Sequence, residues 1–195
     1  MKKISYDDFL DTIQTFSTQK DWNGLESYFN QYCTALVSAE VATNIQNVNL
    51  AEYENILIQK AKEALSLALA HNAKAVYYEY NIPDWSGGFY ICPDYNSSEI
   101  EDDNWVVNFV PLPSEIEGYT PLADAEPFEF SNFLYDSEGI EARIVIEYYL
   151  IARTTAMFGR ATETIDWGNI ALCIGFHDQQ IVTRIYEPKT MKVEG

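Results

Sequence analysis

Apolar residues recur at helical spacing from the start of the chain, with Tyr6, Phe9, Leu10, Ile13 and Phe16 on one stripe behind a Ser5-x-x-Asp8 capping box. A second stripe, Trp22, Leu25, Phe29, Tyr32 and Leu36, follows Asp21 as N-cap and predicts a helix despite Gly24 near its beginning. A third helix is predicted from about Asn49 to His71, burying Leu50, Tyr53, Leu57, Ala61, Ala64, Leu65 and Ala68, with Asn72 suited to a left-handed stop.

The period then shortens to two. Ala75–Tyr80, Gly88–Cys92 and Trp105–Val110 are short aromatic or β-branched runs bounded by Pro, Gly and Asn, which predicts three strands. Pro93, Pro111, Pro113, Pro121 and Pro127 crowd the next stretch, where regular structure is hard to sustain. A helix from about Ser137 to Phe158 follows, with a stripe of Ile140, Ile144, Tyr148, Ile151, Thr155 and Phe158 facing a sheet and Gly159 ending it. Ile170–Phe176 and Ile181–Tyr186 close the chain as a hairpin around the polar loop 177–180.

Helices gathered at the front and strands behind predict a single α+β domain over 1–195. Residues 1–74 form its helical part; 75–195 carry a largely antiparallel sheet of about five strands, with one long helix packed on it. No apolar run approaches the roughly 20 residues that span a bilayer, so a soluble protein with no membrane partner is expected. Met1-Lys2-Lys3 has the basic start of a signal peptide, but Asp7, Asp8 and Asp11 replace its apolar centre, which predicts a cytoplasmic location. Cys33, Cys92 and Cys173 form no Cys-x-x-Cys pair and read as buried thiols, not as a disulfide or zinc framework. Asn96-Ser97-Ser98 matches a glycosylation acceptor only formally, given that location.

Charge changes the picture more than composition does. Thirty Asp and Glu against twelve Lys and Arg leave a net charge of −18. From Ala75 to Ala142, 68 residues pass without one Lys, Arg or His while holding fifteen carboxylates, half of all the acid in the chain. The same stretch is rich in Trp, Tyr and Phe, so it is not the aromatic-poor tail that stays disordered. A globule of 22.3 kDa exposes roughly 9,400 Å², over which eighteen charges would lie roughly 23 Å apart. That is well beyond the screening length of about 8 Å. Only a cluster produces a directed field, and Glu99, Glu101, Asp102 and Asp103 put four carboxylates into five residues.

Familiar catalytic signatures are missing: the chain has no phosphate-binding Gly-x-x-x-x-Gly-Lys-Ser/Thr, Gly-x-Gly-x-x-Gly, Gly-x-Ser-x-Gly or His-Glu-x-x-His. His71 reads as a residue at the negative end of the third helix, and His177, beside Asp178, as a turn residue able to form a His–carboxylate pair. Asp94-x-Asn96-x-Ser98 begins like a calcium loop, but Glu99 stands where the sharp turn needs Gly and Trp105 where a bidentate Glu belongs. No metal ligand set, catalytic residue or cofactor is therefore assigned. So few basic residues disfavour direct binding to nucleic acid.

The expected partner is a basic protein surface, with Glu99, Glu101, Asp102 and Asp103 steering and Trp85, Tyr95 and Trp105 anchoring. In size, charge and the acid–aromatic mixture of Ala75–Ala142 the chain resembles the small acidic immunity proteins that neutralise basic bacterial toxins. That resemblance implies a non-enzymatic, cytosolic binding protein. Two alternatives use other parts of the pattern. One is a carboxylate-based hydrolase, with or without a divalent cation, in which Trp85, Tyr90, Tyr95 and Trp105 stack on a sugar. The other is a structural or regulatory domain that self-associates through an uncovered edge of the final hairpin.

Overall fold

In the computed structural model of the chain, the described residues are 2–81, 87–97, 103–107, 139–177 and 182–189. Ser5 Oγ accepts from the Asp8 amide at 3.1 Å while Asp8 Oδ2 accepts from the Ser5 amide at 3.3 Å, the reciprocal pair that starts α1 (Tyr6–Gln19). Asp21 caps α2 (Trp22–Leu36) through the Gly24 amide at 2.9 Å. Ser38 then caps α3 (Ala39–Gln46), a helix the periodicity does not predict, because an eight-residue helix with only Ala42 and Ile45 buried offers too short a stripe. In α4 (Ala51–Ala70) the buried face is Tyr53, Leu57, Ala61, Ala64 and Ala68, and Asn72 stands at φ 53°, the expected left-handed stop.

Strands β1 (Ala75–Tyr80) and β2 (Gly87–Cys92) pair antiparallel, from Ala75 opposite Cys92 to Tyr80 opposite Gly87. After α5 (Ile140–Thr162), β3 (Ala171–Phe176) returns to the other side of β1 and runs parallel to it, Ala75 beside Ala171 and Tyr80 beside Phe176. β4 (Thr183–Tyr186) pairs antiparallel with β3. The sheet order is β2-β1-β3-β4. A mixed sheet of four strands among the described residues thus replaces the expected five, largely antiparallel ones. A return through a helix brings β3 back parallel, which a tight hairpin cannot do.

Two local expectations are corrected as well. Trp105 does not open a strand: Asn104–Val107 form a 3-10 turn, and 108–110 lie outside the described residues. Gly159 does not end α5, which continues three residues to Thr162. The α5 stripe is also displaced, since Ile140 and Ile144 are exposed at 77% and 42%, whereas Val145, Ile146 and nearly every residue from Tyr148 to Thr162 are buried. A helix apolar on almost every side belongs inside the fold.

Successive residues of β1 serve two cores, as a period of two requires. Val76, Tyr78 and Tyr80 join the main core with the helices, where Phe158 of α5 stacks on Tyr78 at 5.0 Å and Tyr148 on Phe9 at 3.9 Å. Ala75 and Tyr77 face the opposite side, with Cys92, Trp105, Ala171, Cys173 and Val182. The edge strand β4 is covered from α1: the Gln14 carboxamide accepts from the Arg184 amide at 2.8 Å and donates to the Arg184 carbonyl at 3.2 Å. A side chain thereby occupies the ladder positions that a further strand would take at Arg184.

Candidate functional site

Of the seven residues singled out for binding, Tyr95, Asp103 and Trp105 fall among the described residues; Trp85, Glu99, Glu101 and Asp102 lie outside them. The three come together on the face of the sheet opposite the main core. Tyr95 and Trp105 meet edge to face at 5.0 Å and 76°, over a floor of Tyr77, Ala171 and Cys173. Trp105 is buried, at 4% exposure, and Tyr95 is half-buried.

Asp103 is the polar centre of this arrangement. Its Oδ1 accepts from Arg184 Nη2 at 2.6 Å and from Trp105 Nε1 at 3.3 Å, and its Oδ2 from the Val182 amide at 3.0 Å. Arg184 Nη2 also donates to the Asn96 carbonyl at 3.2 Å, while the Tyr95 hydroxyl donates to Glu187 Oε1 at 2.5 Å. Burial alone would lower the Arg184 pKa, but Asp103, with Cys173, outweighs it and holds the pKa above its ordinary value. These contacts fasten Tyr95, Asn96 and Asp103 to β4 and the residues that flank it. The Asp103 charge is compensated by Arg184, which the acidic stretch itself does not supply.

His71 caps the end of α4, its amide donating to the Leu67 carbonyl at 2.9 Å. His177 pairs with the neighbouring strand: Nδ1 lies 2.9 Å from Glu79 Oε1; the expected partner Asp178 lies outside the described residues. In the calcium-like run the Asn96 carbonyl accepts from Arg184, and Ser98 is outside the described residues. Among the described residues no group of three or more His, Cys, Asp or Glu side chains is placed to hold a metal ion. Among the same residues no helix is long and apolar enough to cross a membrane.

A second polar site, which the sequence reading missed, lies where α2, α3 and α5 meet. Glu26 takes a two-pronged pair from Arg160, 3.1 Å at each oxygen, and stands 3.6 Å from Arg153 Nε. Arg153, only 8% exposed, also donates to the Ile45 carbonyl and, at 2.7 Å, to the Val48 carbonyl, closing the C-terminal end of α3. Burial lowers the Arg153 pKa, with Glu26 opposing the shift. Asn30 Nδ2 donates to the Tyr149 hydroxyl at 3.0 Å and to Gln46 Oε1 at 3.3 Å. Glu26, Asn30, Gln46, Tyr149 and Arg153, with Asn23 and Ser27, line a cleft of about 410 Å³. One signal did point here: Arg153 is the one charged residue in the stretch Tyr148–Gly159.

Compared with family models, with curated proteins and with solved structures, the chain gives no match.

Proposed function

We propose that this chain is a non-enzymatic binding protein whose acidic, aromatic-rich segment docks a basic protein surface, as an immunity-type inhibitor docks a toxin. The observation that carries the reading is the run of 68 residues with fifteen carboxylates and no basic side chain, in a chain of net charge −18. A field of that sign raises the association rate with a cationic partner and rejects anionic ones.

The placement of the arginines supports it. Arg153 and Arg184 are turned inward, and Arg160 is bound to Glu26, so three of the twelve basic residues do not dilute the surface acid. In this reading Asp103 and Trp105 are positioning residues, holding the segment on the sheet. Glu99, Glu101 and Asp102 steer, and Trp85 and Tyr95 complete the contact.

The test is capture of a basic protein from the native lysate, followed by association kinetics with Glu99→Gln, Glu101→Gln and Asp102→Asn combined. The triple variant is expected to associate more slowly, with a flatter dependence on salt. An association rate unchanged at low salt overturns the reading.

A further inference from the structure

The cleft between α2, α3 and α5 has no aliphatic side chain among the described residues that line it. Its two ions answer each other, since the Glu26 carboxylate stands 3.6 Å from Arg153 Nε, and the lining as a whole is without net charge. Glu26 is held further by Arg160, at 3.1 Å through each oxygen, and Arg153 donates to the Ile45 and Val48 carbonyls. Both ions are engaged by the protein itself.

The neutral groups of the lining offer donors and acceptors side by side. Tyr149, 1% exposed, accepts from Asn30 Nδ2 at 3.0 Å, so its own proton is left to donate. Asn30 Oδ1 is left to accept, because the hydrogen bonds of that side chain all run from Nδ2. Gln46 accepts from Asn30 through Oε1 and keeps Nε2 as a donor, and Ser27 Oγ accepts from Gln31 at 3.2 Å and keeps its proton. Asn23, exposed one turn before Ser27, adds a second asparagine carboxamide.

Each class of ligand meets this lining differently. An apolar molecule would displace water from polar groups and give them no partner in return. A flat aromatic one finds no ring to stack on, because Tyr149 is the one aromatic side chain of the lining and its ring is buried. A charged one gains nothing from a neutral lining whose ions are already paired. A hydroxyl group, which donates and accepts at once, matches amide and hydroxyl groups on every side. We propose that this cleft binds a small neutral polyol, a sugar or sugar alcohol, with Tyr149, Gln46 and Ser27 donating to it and Asn30 Oδ1 accepting from it. The volume of about 410 Å³ lies within the range of about 300–1,000 Å³ common for small-molecule sites. None of these residues belongs to the acidic segment, so this site and the docking reading stand or fall separately.

Titration of the full chain with D-glucose, D-galactose and sorbitol in turn, with sodium citrate as a charged control, tests the proposal. The readout is the side-chain amide NMR resonances of Asn23, Asn30 and Gln46. Saturable shifts with at least one of the three polyols at millimolar concentration are expected, glucose or galactose alone identifying a sugar ring and sorbitol alone an open chain. Tyr149→Phe should weaken that binding about fivefold, as loss of one neutral hydrogen bond does. Asn23→Ala with Ser27→Ala, two exposed positions of α2 where alanine favours the helix, should weaken it as well without loss of fold. Shifts that never saturate with any of the three, that are matched by citrate, or that are unchanged in both variants overturn the proposal and leave a cleft that holds water only.

Discussion

Trp22 of α2 packs directly onto Gly159 of α5: a methyl group at Gly159 would lie 2.5 Å from both Cη2 and Cζ2 of the indole, and 2.6 Å from Cε2. The glycine stands in the last turn of the helix because an aromatic ring needs the space of its missing side chain. A position that reads as a helix stop is a contact between two helices.

Gly159→Ala accordingly sets two effects against each other. Alanine favours the helix by about 1 kcal/mol, while overpacking at a rigid ring costs about 1–3 kcal/mol. Net destabilisation is expected, read from urea unfolding. With Trp22→Phe also present, the alanine should cost less, a coupling that a double-mutant cycle measures directly.

The Asp103–Arg184 pair is buried at 13% and 7% side-chain exposure, so removing one partner leaves a charge without compensation. Asp103→Ala is expected to cost about 3–5 kcal/mol in denaturant unfolding. The combined Asp103→Leu, Arg184→Met variant should cost less than the single change. Trp105 fluorescence should shift to longer wavelength in Asp103→Ala, because the indole N–H loses its acceptor as the segment loosens.

Glu147 sets a pH dependence. Burial raises its pKa above the ordinary carboxyl value of 4.5, with Arg143 opposing. The folded state thus binds this proton more tightly than the unfolded chain does. The favourable contribution is complete below the unfolded pKa and is lost as pH rises through the folded value. Glu147→Gln should therefore raise Tm at pH 7, with the difference from the parent protein closing near pH 4, as thermal scans across that range would record.

Cys33, Cys92 and Cys173 are free and fully buried, and burial pushes the Cys33 thiol up to about 11 and the Cys92 thiol up to about 12. Thiolate is the reactive form. None of the three is expected to react with a thiol reagent at neutral pH until denaturant unfolds the chain, after which all three should be titratable.

Local signals translated well from sequence to structure: the Ser5–Asp8 box, the Asp21 cap, the Asn72 stop and the closing hairpin each depend on residues a few positions apart. What the pattern left open was long-range. Alternation identifies β1 and β3 as strands but not as parallel neighbours. The β-branched run after Trp105 reads as a strand, yet Asp103, tied to Val182 and Arg184, precedes a 3-10 turn instead. The same holds for the site. Acid and aromatic residues picked out Asp103, Tyr95 and Trp105, whereas Arg184 lies 81 positions away from Asp103 and no local rule connects them.

Strand β1 sits inside the sheet with β2 on one side and β3 on the other, and β3 is encoded near the end of the chain. On the ribosome, β1 and β2 emerge long before the residues that complete the ladder. The flank of β1 that β3 will occupy lacks that partner while residues 81–170 are made, and sheet closure depends on distant contacts. A chain interrupted before residue 171 keeps that flank available to any passing strand.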